Sequence, residues 1–195
     1  MGDWANWVHA GKITSMETFE SKSEIRQRVI SSRPQSSLGL AANLVRLVYE
    51  LDVNVIASYQ PLSSEPDVSD FNLWAKGLGK TLLLPRIEGE QLVFAQGDLV
   101  PGAHGILEPS GDAEDLSTAQ LILIPALAVD KNGNRLGKGK GFYDRALSNI
   151  TGIPKYAVVF DSEVLATVPT EAHDIWVTGA VTPTTIHHFR ASAIS

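Results

Sequence analysis

The sequence predicts an α/β fold, a single-domain three-layer arrangement with a mostly parallel sheet flanked by helices on both faces. Three observations carry this. Several short runs are apolar without alternation, Lys80–Pro85, Leu121–Ile124 and Tyr156–Phe160 among them, as strands buried on both faces are. Amphipathic helical segments bracket these runs, and only helices on both sides can cover such a sheet. The 195 residues, 44% hydrophobic and 19% charged, suffice for one sizeable core but not for two. No internal repeat, low-complexity tract or linker divides the chain. Met16 precedes the first helix-like segment, so residues 1–15 are read as an N-terminal extension and 16–195 as the domain.

The elements follow in order. Thr18 to Ser32 has helical spacing, with Ile25, Val29 and Ile30 apolar and Thr18 placed to cap. Lys22 and Arg26 leave one face of it a turn apart. Arg33-Pro34 ends it, because the residue before proline is steered away from the α region. Ser36 to Leu51 is a second helix with a stripe of Leu40, Leu44, Leu47, Val48 and Leu51. The β-branched run Val53–Tyr59 is a strand, followed by a polar turn and a short helix over Val68–Lys76. Lys80–Pro85 is a buried strand and Gln91–Gln96 an alternating one. Leu121–Ile124, a helix over Gly141–Ile150, Tyr156–Phe160 and a last strand over Gly179–Thr182 complete the pattern. Ligands of such sheets gather at the carboxyl ends of the strands, here the turns after Tyr59, Pro85, Pro125 and Phe160.

Composition excludes several classes. A formal charge of −6 argues against a general nucleic-acid surface. Without cysteine there is no disulfide, zinc–thiolate site or thiol nucleophile. No apolar run reaches the roughly 18 residues of a membrane span. Trp4, Trp7, His9 and Lys12 interrupt what a signal peptide would keep apolar. A cytoplasmic protein, expected as a monomer with no nucleic-acid or membrane partner, is the resulting reading.

The chemistry concentrates in Leu121–Leu147, a buried strand running into a loop with glycines at 133, 137, 139 and 141 and then into a helix. Between residues 131 and 145, five basic residues (Lys131, Arg135, Lys138, Lys140, Arg145) against Asp144 give a local charge of +4. Alternate glycines let successive backbone N–H groups turn inward as an anion nest, and the helix adds its positive end. Polyphosphate suits this composition best; a surface hairpin with solvated lysines is the plain alternative. Two known phosphate signatures fail. Gly79-Lys80-Thr81 lacks the first glycine of a P-loop, since position 74 is Trp, and it precedes a strand. Gly137-x-Gly139-x-Gly141 has the wrong spacing for a dinucleotide fingerprint. Asp144, in the first turn after the loop, either complements the helix dipole or holds Mg²⁺ against phosphate oxygens. Val168-Pro-Thr-Glu-Ala-His-Asp174 is a second acidic cluster, which a simple turn with Asp174 as cap would also explain.

The run Asn134-Arg-Leu-Gly-Lys-Gly-Lys-Gly-Phe-Tyr-Asp144 is similar to the N-R-L-G-R-G-x-G-Y-Y-D motif of the 5-formyltetrahydrofolate cyclo-ligase (5,10-methenyltetrahydrofolate synthetase) family. Gly105-Ile-Leu-Glu-Pro109, Val168–Asp174, Tyr59–Glu65 and Lys22-x-x-x-Arg26 match further motifs in family order. The resemblance implies an ATP- and Mg²⁺-dependent ring closure. The formyl oxygen of 5-formyltetrahydrofolate attacks the γ-phosphate, N10 attacks the same carbon, and phosphate leaves, giving 5,10-methenyltetrahydrofolate and ADP. No protein nucleophile is needed, in keeping with a sequence that offers phosphate and metal groups but no nucleophile–base pair.

By position, the resemblance implies that Lys22 and Arg26 touch ATP while Arg135, Leu136, Gly137, Lys138, Gly139, Lys140, Gly141, Phe142 and Tyr143 wrap its phosphates. Arg135, Lys138 and Lys140 carry the catalytic charge, and Asp144 and Asp174 hold Mg²⁺. Lys138 to Phe142 also border the folate, with Glu65 on the pterin and Gln60 nearby. A carboxylate suits the pterin's N–H donors. On its own spacing the Lys22/Arg26 pair reads equally as a solvated helix face. The sequence departs from the family at Phe142 (commonly tyrosine), Lys138 (arginine), Ala126 (glycine) and Glu163 (often glutamine). A non-catalytic nucleotide- or folate-binding relative is the alternative, and the intact pair of metal carboxylates argues against it. A sugar-phosphate isomerase or CoA transferase would need a base or nucleophile for which Glu65 is the one candidate. An RNA-binding role lacks aromatic platforms beside the basic loop.

Overall fold

The computed structural model describes residues 20–102 and 105–189, so the extension expected over residues 1–15 and the expected cap Thr18 lie outside the described residues. Helix α1 (Lys22–Ser32) is capped instead by Ser21: its Oγ accepts from Glu24 N and its N–H donates to the Glu24 carboxylate, a capping box. The helix stops at Arg33, before Pro34, as expected. Helix α2 (Leu40–Leu51) starts four residues later than the sequence reading placed it. The reason is Gly39, at φ +94°, where a Cβ would sit 2.5 Å from the Pro183 carbonyl oxygen. A left-handed residue cannot lie inside a right-handed helix, so Ser36–Leu38 stay outside and Leu38 is exposed.

Strand β1 (Val55–Ala57) leads to α3 (Ser69–Gly77), β2 (Thr81–Glu88) and β3 (Gln91–Ala95). A small hairpin, β4 (Leu99–Pro101) and β5 (Leu107–Pro109), precedes β6 (Ala113–Glu114) and the apolar β7 (Leu121–Pro125). Then come β8 (Ala128–Asp130), β9 (Arg135–Leu136) and α4 (Phe142–Leu147). The chain continues through β10 (Lys155–Val158), β11 (Val164–Leu165), β12 (Gly179–Val181) and β13 (Ile186–His188). The main sheet has the order β13-β12-β10-β7-β1-β2-β3-β6. Its centre, from β12 to β2, is parallel, and antiparallel strands finish both sides.

Alternation along the central strands sorts the core into two faces. Ile56, Leu82, Leu84, Leu121 and Leu123 pack under α2 and α3, which contribute Leu40, Leu44, Leu47, Val48, Phe71 and Ala75. Ala57, Leu83, Ile122 and Ile124 face the other way, against Phe94, Leu147 of α4, Leu116 and Val177. That second face is closed by one six-residue helix and loop segments, so its cover is thinner than the sequence suggested. Helix α1 covers neither face. Ile25 and Val29 pack on Leu127, Ala128, Leu136 and Val168 beside a separate small sheet, β11-β8-β9, while Ile30 is exposed.

Other differences have local causes. The segment after Pro125, read as a loop, contains the β8–β9 hairpin. Strands of three and two residues are too short to show a period. Helix α4 ends at Leu147 rather than Ile150, and β13 follows the strand expected to be last. Among the described residues no helix is long and apolar enough to cross a membrane.

Candidate active site

The hairpin after β7 is built around Asp130. Its fully buried carboxylate accepts from Asn132 N (2.9 Å), Asn134 N (3.1 Å), Asn134 Nδ2 (2.9 Å) and, across the chain, Val168 N (2.9 Å). Four N–H donors compensate its burial and tie the hairpin to the start of the Val168–Asp174 segment. Arg135 therefore leaves β9 in a fixed place, and the glycine loop runs from it to α4. Gly139 (φ +91°) and Gly141 (φ +67°) take left-handed conformations there, and a Cβ on Gly141 would meet Arg145 Nη1 at 2.8 Å. Arg145 fastens the loop from outside. It donates to Lys140 O (3.1 Å) and to Glu90 O (3.1 Å), and its guanidinium lies 5.3 Å over the Phe142 ring. The ring that stands where the family commonly has tyrosine is thus engaged by its face.

This loop closes one side of a cavity of about 590 Å³. Gln60 after β1 and Ala126 after β7 bring the carboxyl edge of the parallel sheet to its floor. Strand β2 runs past that edge, where it pairs only with β3, and Pro85, Ile87 and Leu92 make an apolar wall. Every residue given a binding, catalytic or metal role from the sequence lines this one cavity: Lys22 and Arg26 from α1, Gln60 and Glu65 from the β1–α3 turn, the run Arg135–Asp144, and Asp174; Lys131 and Arg145 of the basic segment do not. Of the turns considered, the one after Phe160 does not reach it; that turn holds a buried Arg33–Glu163 pair instead.

Opposite charges are paired around the rim. Lys22 Nζ lies 2.6 Å from Asp174 Oδ2 and 3.4 Å from Glu171 Oε1. Lys138 Nζ is 2.7 Å from Glu65 Oε1, and Glu65 Oε2 accepts from Leu62 N at 3.0 Å. Arg135 Nη2 donates to Asp144 Oδ1, which also accepts from Ile175 N at 3.2 Å. Arg26 Nε donates to the Gly137 carbonyl at 3.0 Å, so α1 supports the loop directly. Arg135 Nε is buried and has no partner among the described residues. A buried donor left over is costly, and an anion in the cavity would satisfy it.

Burial works to raise the Asp174 carboxyl, but the Lys22 hydrogen bond, Glu171 N–H and the Lys22 charge outweigh it and hold the group below its ordinary value. For Tyr143 burial dominates, and the Glu65 charge adds to it, so the phenol is pushed above its ordinary range despite Arg135. It stays a neutral donor. Ligand oxygens of Glu171 and Asp174 and a ring nitrogen of His173 lie within 4.8 Å of one another. Asp144 lines the same cavity but is not part of that cluster, so the two carboxylates expected to share Mg²⁺ are brought to one cavity and not into one ligand group. Sequence reasoning missed the roles of Asp130 and Arg33, and it counted Arg145 with the cations of the phosphate segment, whereas Arg145 does not line the cavity and ties the loop to Glu90. Asp130 carried a signal, because Asp-x-Asn-Gly-Asn favours an Asx turn.

The 5-formyltetrahydrofolate cyclo-ligase family model matches residues 8–183. The chain is similar to 5-formyltetrahydrofolate cyclo-ligase of Mycolicibacterium smegmatis, 32% identical over 182 residues that cover 84% of this chain and 94% of the relative. It is 29% identical to the Escherichia coli K12 enzyme of that name over 177 residues, 83% of this chain and 96% of the relative. Among solved structures it resembles Aquifex aeolicus 5,10-methenyltetrahydrofolate synthetase, with a TM-score of 0.73, 28% identity and coverage of 89% and 95%.

Proposed function

The chain belongs to the 5-formyltetrahydrofolate cyclo-ligase family, and from that premise we infer that it closes 5-formyltetrahydrofolate to 5,10-methenyltetrahydrofolate with ATP as the phosphoryl donor. One observation carries the reading most: a cationic, glycine-lined rim and an apolar wall share a single cavity, and the buried Arg135 Nε lacks a partner within it. A polyphosphate fits the first part and a planar heterocycle the second.

In the proposed reaction the formyl oxygen attacks the γ-phosphorus, the bond to the ADP oxygen breaks, and N10 closes on the activated carbon as phosphate departs. Charge builds on phosphate oxygens throughout, so the protein's task is placement and neutralisation. Arg135, Lys138 and Lys140 would supply positive charge at the transferring group. Backbone N–H groups of the Gly137–Gly141 loop would donate to it, and Lys22 and Arg26 would hold the nucleotide from α1. Glu65 and Gln60 would contact the pterin, with Tyr143 protonated beside them. Asp144 and Asp174 would hold Mg²⁺, which would supply positive charge to neutralise the phosphates. Both carboxylates are now paired with cations, so nucleotide binding would trade those partners for phosphate and metal.

The test is a spectrophotometric assay of the purified chain with 5-formyltetrahydrofolate. Methenyl product forming only with ATP and Mg²⁺ together is expected. A folded protein that binds ATP yet forms no product would favour the non-catalytic relative.

A further inference from the structure

Beyond the residues already placed, one carboxylate on the cavity has no role. Glu108, on β5, lines the cavity and is 7% exposed. Its only hydrogen bond among the described residues comes from Ile87 N to Oε1, at 3.4 Å, longer than a good N–H···O contact. No described cation lies within salt-bridge distance of it. The side chain lies over Gly102, where a Cβ would fall 2.3 Å from Oε2. Its neighbours on the cavity wall, Ile87, Leu92 and Ile106, are apolar.

Asp130 and Glu163, the other buried acids with a full set of contacts, show how this fold normally treats such a group. Asp130 collects four donors, and Glu163 collects Arg33 and Phe160 N. Glu65, the other carboxylate at the heterocycle end, has one oxygen on Lys138 and one on Leu62 N. Among the described residues no donor reaches Glu108 Oε2, and since that oxygen is not one of the fully buried atoms it is open to a donor from the cavity that the side chain lines.

We propose that Glu108 is a substrate-recognition residue whose carboxylate accepts from the 2-amino and N3–H donors of the pterin. This rests on the reading of the cavity as a folate site. The pairing follows from hydrogen-bond patterns. A 2-amino-4-oxopyrimidine edge presents two parallel N–H donors, which match the two oxygens of a carboxylate. The adenine edge presents one donor and one acceptor, which a carboxylate satisfies only by half. The apolar wall then packs the ring faces, and Glu65, paired with Lys138, contacts the same heterocycle from the β1–α3 turn.

The experiment is steady-state kinetics and calorimetric binding on the full chain and its Glu108→Gln and Glu108→Ala variants, varying 5-formyltetrahydrofolate and ATP separately. The expected result is a rise of about tenfold or more in KM and Kd for the folate in both variants, with KM for ATP within about twofold. A substrate analogue lacking the 2-amino group should bind the wild type about tenfold more weakly, and should lose nothing further in Glu108→Ala. Unchanged folate affinity in the isosteric Glu108→Gln, or a rise confined to ATP, overturns the proposal. Wild-type folate binding without turnover would defeat the proposed reaction and leave Glu108 to be judged on the Kd ratios. Absence of folate binding would defeat both.

Discussion

Two arginine–carboxylate pairs in this molecule look alike in sequence and differ in completeness. Arg33, 4% exposed at its side chain, uses every arm of its guanidinium. Nε and Nη2 bind Glu163 (2.6 and 3.1 Å), Nη2 also reaches the Ala126 carbonyl (2.5 Å), and Nη1 donates to Ser64 O (2.8 Å). Its face lies 5.5 Å from the centre of the Phe160 ring. Arg135 is as deeply buried, 3% exposed, yet only Nη2 meets Asp144, and Nε has no partner among the described residues. The satisfied pair joins the end of α1 to the turns after β1, β7 and β10 and belongs to the scaffold. The unsatisfied one lines the cavity. Donor saturation, more than burial or charge, is what distinguishes the two pairs.

Breaking the saturated pair should have the largest effect. Arg33→Met strands Glu163 as a buried acid, and a loss of about 3–5 kcal/mol in a urea titration is expected. Adding Glu163→Leu should recover much of it, because the charge to be compensated is then gone. A single variant as stable as wild type would show that Arg33 is not the scaffold element its contacts describe.

At the open pair the effect should move from stability to rate. Arg135→Met should lower kcat by about 100- to 1000-fold. Its denaturation midpoint should stay close to wild type, since the residue carries an unmet donor and Asp144 keeps the Ile175 N–H. A variant that unfolds readily while its surviving fraction turns over normally would place Arg135 with Arg33.

The contrast also explains what could be read from the chain. The apolar run at Leu121–Ile124 and the leucine stripe of α2 announced themselves by composition and period. The candidate site was legible because eleven consecutive residues, Asn134–Asp144, bring most of the cavity's polar lining along one stretch of backbone, with glycine and cation alternating. Arg33 and Glu163 are 130 positions apart, and nothing local in either announces the other. The β8–β9 hairpin was hidden for a related reason. Its strands are too short for a pattern, and Asp130 completes it only by reaching Val168. Glu108 lay within a matched motif, but its missing partner became visible only when its neighbours were in place.

The smallest effect concerns pH and sharpens the comparison at the rim, where Lys22 pairs with Asp174 in partial contact with water. Burial works against the ionised carboxylate, and the Lys22 hydrogen bond and charge, with Glu171 N–H, more than offset this, so the folded-state value sits below the ordinary one. The unfolded chain then binds the proton more readily than the folded one, and stability rises with pH across the interval between the two values. The contribution is complete above about pH 4, the unfolded value of an aspartate, and disappears as the pH falls through the lower folded value. Asp174→Asn should therefore cost measurable stability at neutral pH, and the difference from wild type should close on acidification. Chemical denaturation of both proteins across the acid range reads this directly. A deficit that stays constant with pH would mean that Asp174 contributes through hydrogen-bond geometry, not charge, and would leave Lys22 as its tether.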